Sequence, residues 1–264
     1  MALQEEFETP GNYLFRYRYV LPFYFLFLSA IAYIPRIVDI SEKEWAFYNH
    51  FYFYICLAVT LTGFGIRIYA NGCTPDKIVG DNINSMTTDE LNTSGIYSLI
   101  RHPLYLGNFF IGSGIALLAQ NIWFFLAFIF MHWVYSERLM YAEEQFLRNK
   151  FGKAFLRWGQ RTPAFIPGRT KFIKPGVRFD IRSVLKKEKI TQLLIFSVYF
   201  IFYTIGLSVN LRKIYVQFNF WFYALTFSLV VYLLLIVFGK NKFNDTASEG
   251  AKLFTMTMKT NNSD

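Results

Sequence analysis

Apolar residues along this chain gather into runs long enough to cross hydrocarbon, separated by short polar or charged segments. A helical crossing takes roughly 17–25 residues. Four runs meet that length directly: about Tyr17–Ile34, Phe51–Tyr69, Thr191–Val209 and Phe218–Phe238. Between the second and third lies a longer stretch, Leu104–Tyr135, broken by Gln120 and Asn121. Leu104–Ala119 is short for a span, and Asn121–Tyr135 needs its polar continuation to be complete. The pattern predicts a tight helical hairpin there. The expected fold is all-α and polytopic, with about six transmembrane helices.

Charge then orients these helices, because cytoplasmic loops carry the excess of Lys and Arg. With the N-terminus inside, the tail holds Arg16 and Arg18, and the next inside loop holds Arg67, Lys77 and Arg101. The stretch Arg138–Lys189 adds fourteen basic residues and the C-terminal tail four, against Arg36, Lys43, Arg212 and Lys213 outside. Both termini are therefore expected in the cytoplasm. The N-terminal MALQEEFETPGNY is acidic and polar, so the first span is expected to serve as its own insertion signal.

Composition agrees with a membrane class: 54% of the 264 residues are apolar, 20% aromatic and only 17% charged. The net charge of +9 sits beside the spans, where basic loops favour anionic lipid headgroups. No nucleic-acid motif accompanies it. Cys56 and Cys73 lack metal-ligand spacing or a disulfide framework, and no metal is expected.

Four parts follow from these patterns: a core over 1–168, a basic cytoplasmic connector over 169–189, an accessory transmembrane hairpin over 190–240 and a polar tail over 241–264. Residues 70–95, dense in Asn, Asp, Thr and Gly, form a loop that could cover a ligand. The last hairpin is rich in Phe, Leu, Val, Ile and Tyr, and it reads as an anchor or lipid-facing wall.

Chemistry-capable groups concentrate between Ile100 and Gly168. Polar groups at the edge of apolar segments are costly and usually mark a site. In RHPLYLG, Pro103 suits the first turn of a helix, placing Arg101 and His102 at the interface with Tyr105 and Gly107 one turn in. A snorkelling interfacial Arg and Tyr would give the same pattern. Glu143 and Glu144 extend the fourth span into the cytoplasm. Glu144 and Arg148 stand at i, i+4, so a solvated pair is the ordinary alternative. Gly63 and Gly65, followed by Arg67, fit either close helix packing or ligand approach. His132 reads as a structural hydrogen-bonding group. Arg157 and Arg161 suit either bulk lipid phosphates or a grip on one anionic headgroup.

Taken together, Gly-x-Gly, Thr-Ser-Gly-Ile-Tyr, Arg-His-Pro-x-Tyr-x-Gly, a hairpin, Glu-Glu, Phe-Gly, Arg-x-Pro and Phe-x-Pro resemble one family. It comprises the membrane methyltransferases that include isoprenylcysteine carboxyl methyltransferases and phospholipid N-methyltransferases. The resemblance runs from about Thr62 to Pro167. It implies S-adenosylmethionine bound near the cytoplasmic face, with His102, Tyr105, Gly107, Glu143 and Glu144 lining the cofactor and Gly63 and Gly65 nearby. It also implies Arg161 beside the methyl-accepting group; by their affinity for anions, Arg101 is expected as a second catalytic arginine and Arg157 as a substrate contact.

The longer run TPDKIVGDN…DELNTSGIYSLIRHPLYLGNFF, with AEEQFLRNKFG and TPAFIP, is similar to a bacterial branch that includes lipid A 1-phosphate O-methyltransferases. That implies a bacterial inner-membrane enzyme. An anionic oxygen acceptor needs no general base, whereas an amine must first lose a proton. Arg101 and Arg161 suit an anion, so the expected reaction is O-methylation of a lipid-borne acidic headgroup, a lipid A phosphate foremost. Isoprenylcysteine carboxyl methylation and phospholipid N-methylation are the alternatives. Sterol reductases share Arg-His-Pro-x-Tyr-x-Gly but continue with Arg-Asp-Glu and Lys-Tyr-Gly, where this chain has AEEQ and KFG. A non-catalytic scaffold or transporter is a further alternative, against which the clustered Arg, His and Glu groups argue.

Overall fold

A computed structural model describes residues 13–14, 21–38, 42–74, 90–168 and 170–237. Its helices are α1 (Leu21–Val38), α2 (Glu42–Gly72), α3 (Pro103–Leu118), α4 (Ile122–Phe151), α5 (Lys153–Gly159), α6 (Ile181–Asn210) and α7 (Phe220–Val237), with a 3-10 turn at Ile96–Ser98. Among the described residues the sole β pairing is an isolated bridge between Gly95 and Ile173. Residues 75–89, most of the Asn- and Thr-rich loop, lie outside the described residues. So do Arg16, Arg18 and the tail from 238 onward, on which part of the orientation reading rests.

Local chemistry sets the helix boundaries. Pro103 opens α3, where its missing N–H leaves no bond unmade. The Asn121 side chain accepts from the Phe124 amide at 3.1 Å and starts α4, so the hairpin turns through Gln120 and Asn121. Asp180 caps α6 by accepting from the amides of Arg182 (2.9 Å) and Ser183 (3.3 Å). That cap starts the helix ten residues before the apolar run at Thr191, because a hydropathy pattern marks where a span becomes apolar and a helix can begin earlier. At 30 residues α4 is about 45 Å long, well beyond a hydrocarbon layer of about 30 Å. It therefore carries Glu143 and Glu144 on the same rigid rod as its apolar half.

Phe51–Gly72, Ile181–Asn210 and Phe220–Val237 are each long and apolar enough to cross a membrane; Phe23–Val38 and Pro103–Leu118 are apolar but shorter. Large apolar side chains face outward on many helices, among them Phe27, Phe51, Trp123, Phe130 and Phe227. That distribution suits a hydrocarbon solvent, with which such surface is compatible.

Inside, α2 is the hub. Tyr33 and Ile37 of α1, Phe53, Cys56 and Leu57 of α2, Leu118 of α3, Ile195, Val198, Tyr199 and Phe202 of α6 and Trp221 of α7 form one buried cluster. The hydroxyls of Thr60 and Tyr199 share a 2.8 Å hydrogen bond within it, tying α2 to α6. Small residues let α2 and α3 cross closely. A Cβ on Gly63 would meet the Gly107 carbonyl and lie 2.7 Å from the Ile111 nitrogen, and one on Gly114 would strike Thr60 and lie 2.6 Å from the Cys56 carbonyl.

Candidate functional site

The site grows from the start of α3. Two main-chain bonds fix the Arg-His-Pro segment: Arg101 N–H donates to the Pro163 carbonyl (2.9 Å) and His102 N–H to the Ala164 carbonyl (3.1 Å). The Thr162–Phe165 segment is thereby laid along α3. Phe165 seals it, with its ring 6.1 Å from Phe109 and 5.7 Å from Trp133. Trp158 of α5 adds a bond from Nε1 to the Tyr97 carbonyl at 3.1 Å. The bridge between Gly95 and Ile173 is closed by Gly95 N–H to the Ile173 carbonyl at 2.8 Å and by Ile173 N–H to Ser98 Oγ at 3.0 Å. The basic connector is thus laid against the site's loop over this stretch. Gly95 needs its positive φ of 61° to make that turn.

Held this way, His102 points at the two carboxylates of α4. Its Nε2 donates to Glu144 Oε1 at 3.0 Å and its Nδ1 lies 3.5 Å from Glu143 Oε2. Arg101 Nη1 lies 3.3 Å from the other oxygen of Glu144. The Tyr105 ring stands edge-on to His102 at 5.6 Å. The His102 side chain is 3% exposed, that of Glu144 20% and that of Glu143 35%. Burial pulls the imidazole toward neutrality, but hydrogen bonds and charge from Glu143 and Glu144 outweigh it and raise the His102 pKa. The group is therefore an imidazolium clamped by two carboxylates over a wider pH range than free histidine. Arg101 Nε is buried without a hydrogen-bond partner. Close by, burial and the Glu143 carboxylate push the Tyr97 phenol up to about 12, against the opposing pull of its Thr74 hydrogen bond and the Arg67 charge.

Arg101, His102, Tyr105, Glu143 and Glu144 are thus brought together from segments about forty residues apart. Gly107 and Gly63 meet each other at the α2–α3 crossing and act there as packing glycines. Around Gly65 there is open space. The Arg157 and Arg161 side chains are exposed, away from the His102–Glu144 pairing. From their neighbourhood the segment contributes the Pro163 and Ala164 carbonyls and the buried Thr162. His132 packs its ring on Phe109 and Phe128, 5.5 and 5.4 Å away, and its Nε2 is buried without a hydrogen-bond partner.

Sequence reading passed over one set of residues. Glu188 of α6, 2% exposed, accepts from Arg67 Nε at 3.1 Å and Nη2 at 2.8 Å and from Asn71 Nδ2 at 2.5 Å. Arg67 Nη1 donates in turn to Asn108 Oδ1 at 2.6 Å. The one signal was an acid inside a run of lysines, KKEK, which looks like an ordinary solvated pair in sequence.

A family model described as phospholipid methyltransferase matches residues 50–154. Protein-S-isoprenylcysteine O-methyltransferase B of Arabidopsis thaliana is 33% identical over 79 residues, covering 30% of this chain and 40% of that protein. The protein-S-isoprenylcysteine O-methyltransferase of Xenopus laevis is 34% identical over 109 residues (38% and 35%), and that of Homo sapiens 31% over 108 (39% and 36%). The chain thus spans about two fifths or less of the length of these curated relatives. No solved structure matches significantly. Residues 50–154, which carry the whole Arg101–His102–Glu143–Glu144 cluster, are therefore the part of this chain that is similar to the phospholipid methyltransferase family.

Proposed function

We propose that this protein transfers a methyl group from S-adenosylmethionine to an anionic oxygen on a lipid-borne acceptor at the cytoplasmic face of a membrane. The observation that carries the reading is His102 held between Glu143 and Glu144, beside Arg101, inside the segment matched by a methyltransferase family. The residues present suit such a cofactor. Glu143, about a third exposed, retains carboxylate surface for a cationic ammonium or sulfonium. The unpartnered Arg101 Nε is a donor of the kind a cofactor or acceptor carboxylate takes.

S-adenosylmethionine supplies an electrophilic methyl on a sulfonium. Held beside Glu143 and Glu144, it would supply that methyl to an acceptor oxygen, the electron pair of the broken C–S bond remaining on sulfur. A phosphate or carboxylate is already anionic near neutral pH, so no proton has to be removed. The chain's residues have to bind, orient and exclude water. His102, fixed by two main-chain bonds and two carboxylates, holds Glu143 and Glu144 in place. Arg101 keeps the anionic end of a ligand at the mouth of α3. Exposed Arg161, with Arg157, is placed on the basic side, where an acceptor headgroup in the bilayer interface would meet it.

For the acceptor, the run from Thr74 to Phe110 supports a phosphate such as that of lipid A in a bacterial inner membrane. A carboxylate of the isoprenylcysteine kind is the second reading, supported by similarity to the protein-S-isoprenylcysteine O-methyltransferases. Six membrane helices with both termini inside are part of the same proposal.

Binding of S-adenosylmethionine and of NADPH to purified protein in detergent tests the chemistry. Uptake of the first alone, abolished by Glu144→Ala, is expected; binding of NADPH instead sinks the reading. Lipid mass spectrometry of a deletion strain tests the acceptor, and unchanged phosphorylated glycolipids would remove lipid A.

A further inference from the structure

One buried acid outside the matched segment has no counterpart in the motifs. Glu188 sits about two turns into α6, almost wholly buried, and both its oxygens are taken by Arg67 and Asn71 of α2. An uncompensated buried carboxylate costs several kcal/mol, which explains why it is so fully bonded. The pairing in turn fixes Arg67, whose last nitrogen reaches Asn108 of α3. The Arg67 stem lies across Gly107 so closely that a Cβ there would sit 2.6 Å from Arg67 Cγ. With its fork divided between Glu188 and Asn108, Arg67 is a clamp on the first turns of α3, one turn past Tyr105. Its charge also reaches Tyr97, whose other charged neighbour is Glu143.

Two charged groups thus flank Tyr97: Glu188 with Arg67 on one side, and Glu143, His102, Glu144 and Arg101 on the other. Two further ties bind α6 to α2 along the same side: Asp180 N–H to the Gly72 carbonyl at 2.9 Å and the Thr60–Tyr199 hydroxyl pair.

We propose that α6 is an integral part of the cofactor site, and that Glu188 is a positioning residue. It holds Arg67 across Gly107 so that His102 and Tyr105 keep their register against Glu143 and Glu144. This rests on the methyltransferase reading. A purely structural pin is the competing account, and it predicts that any change preserving stability preserves binding.

Two variants of the full chain separate the accounts, with thermal unfolding, the Kd for S-adenosylmethionine and the KM-against-kcat split read on each. Glu188→Gln keeps the shape and an acceptor for Asn71 while removing the charge that holds Arg67. R67M with E188M replaces the ion pair by apolar volume, a change that often leaves folding neutral or improved. The expected result is a cofactor Kd and KM raised at least tenfold in both, kcat at saturating cofactor within about twofold of wild type, and wild-type thermal stability in the double variant. A double variant of wild-type stability and wild-type Kd overturns the proposal, as does an unchanged Kd in Glu188→Gln. Wild-type protein that binds no S-adenosylmethionine removes the proposed function, and this inference with it.

Discussion

Gly63 and Gly65 stand two residues apart on α2, and replacing each by alanine should have different effects. A Cβ on Gly63 would lie 2.7 Å from the Ile111 nitrogen and 2.8 Å from Phe110 Cβ, and would meet the Gly107 carbonyl as well. These are backbone atoms and a β-carbon, which cannot rotate away. With carbon contacts optimal at about 3.5–4.0 Å, the α2–α3 crossing must open by roughly 1 Å. Overpacking of this kind costs about 1–3 kcal/mol. Around Gly65 nothing lies within 4 Å, so its alanine meets no clash. Both substitutions gain the same helix propensity, up to about 1 kcal/mol. That gain cancels in the comparison, and the difference between the two variants is the clash itself, about 1–3 kcal/mol. In thermal unfolding the gap corresponds to about 2–12 °C, with Gly65→Ala at or above wild type and Gly63→Ala below Gly65→Ala. The same opening moves Gly107 and the Arg67 stem over it, and a misplacement of about 1 Å can cost up to ~100-fold in rate. Unfolding in one detergent and cofactor affinity on both variants are the assays. Equal melting temperatures, or Gly65→Ala the less stable, would refute the close crossing.

Because the folded His102 pKa is raised, its contribution to stability is complete below the ordinary histidine value of about 6.5 and fades as pH rises through the folded pKa. Melting temperature should therefore decline as pH rises above about 6.5, and Glu144→Gln should flatten that decline; a slope unchanged by the substitution would contradict the clamp. Arg161→Ala, on an exposed side chain, is expected to alter stability by less than about 0.5 kcal/mol while raising the KM for the acceptor, and steady-state kinetics with varied lipid checks it. Tyr199→Phe removes one half of the buried bond to Thr60 and should cost about 1–2 kcal/mol, read as a lower melting temperature; no change would mean the hydroxyls contribute nothing net.

The apolar runs located the helices closely where burial in lipid dictates sequence. Phe51–Tyr69 falls within α2, Thr191–Val209 within α6, and the turn at Gln120–Asn121 separates α3 from α4. Boundaries set by caps were harder to see. α6 begins at Asp180's cap amid lysines and arginines. Periodicity measures solvent preference, and a helix emerging into water no longer displays it.

By itself the sequence determined an all-helical chain with apolar segments of defined length, a charge asymmetry across them, and a motif order similar to one methyltransferase family. Those properties are local, fixed by transfer free energies and by short spacings such as Pro103 after His102. Tertiary structure decided which polar groups share a site. It brought His102 to Glu143 and Glu144, left Arg157 and Arg161 exposed, and turned Gly63 into a helix contact while Gly65 stayed open. It also joined Arg67 to Glu188, 121 residues apart in the chain. A salt bridge between residues that distant leaves no periodic trace, because only the packing of α2 against α3 and α6 sets the distance between them.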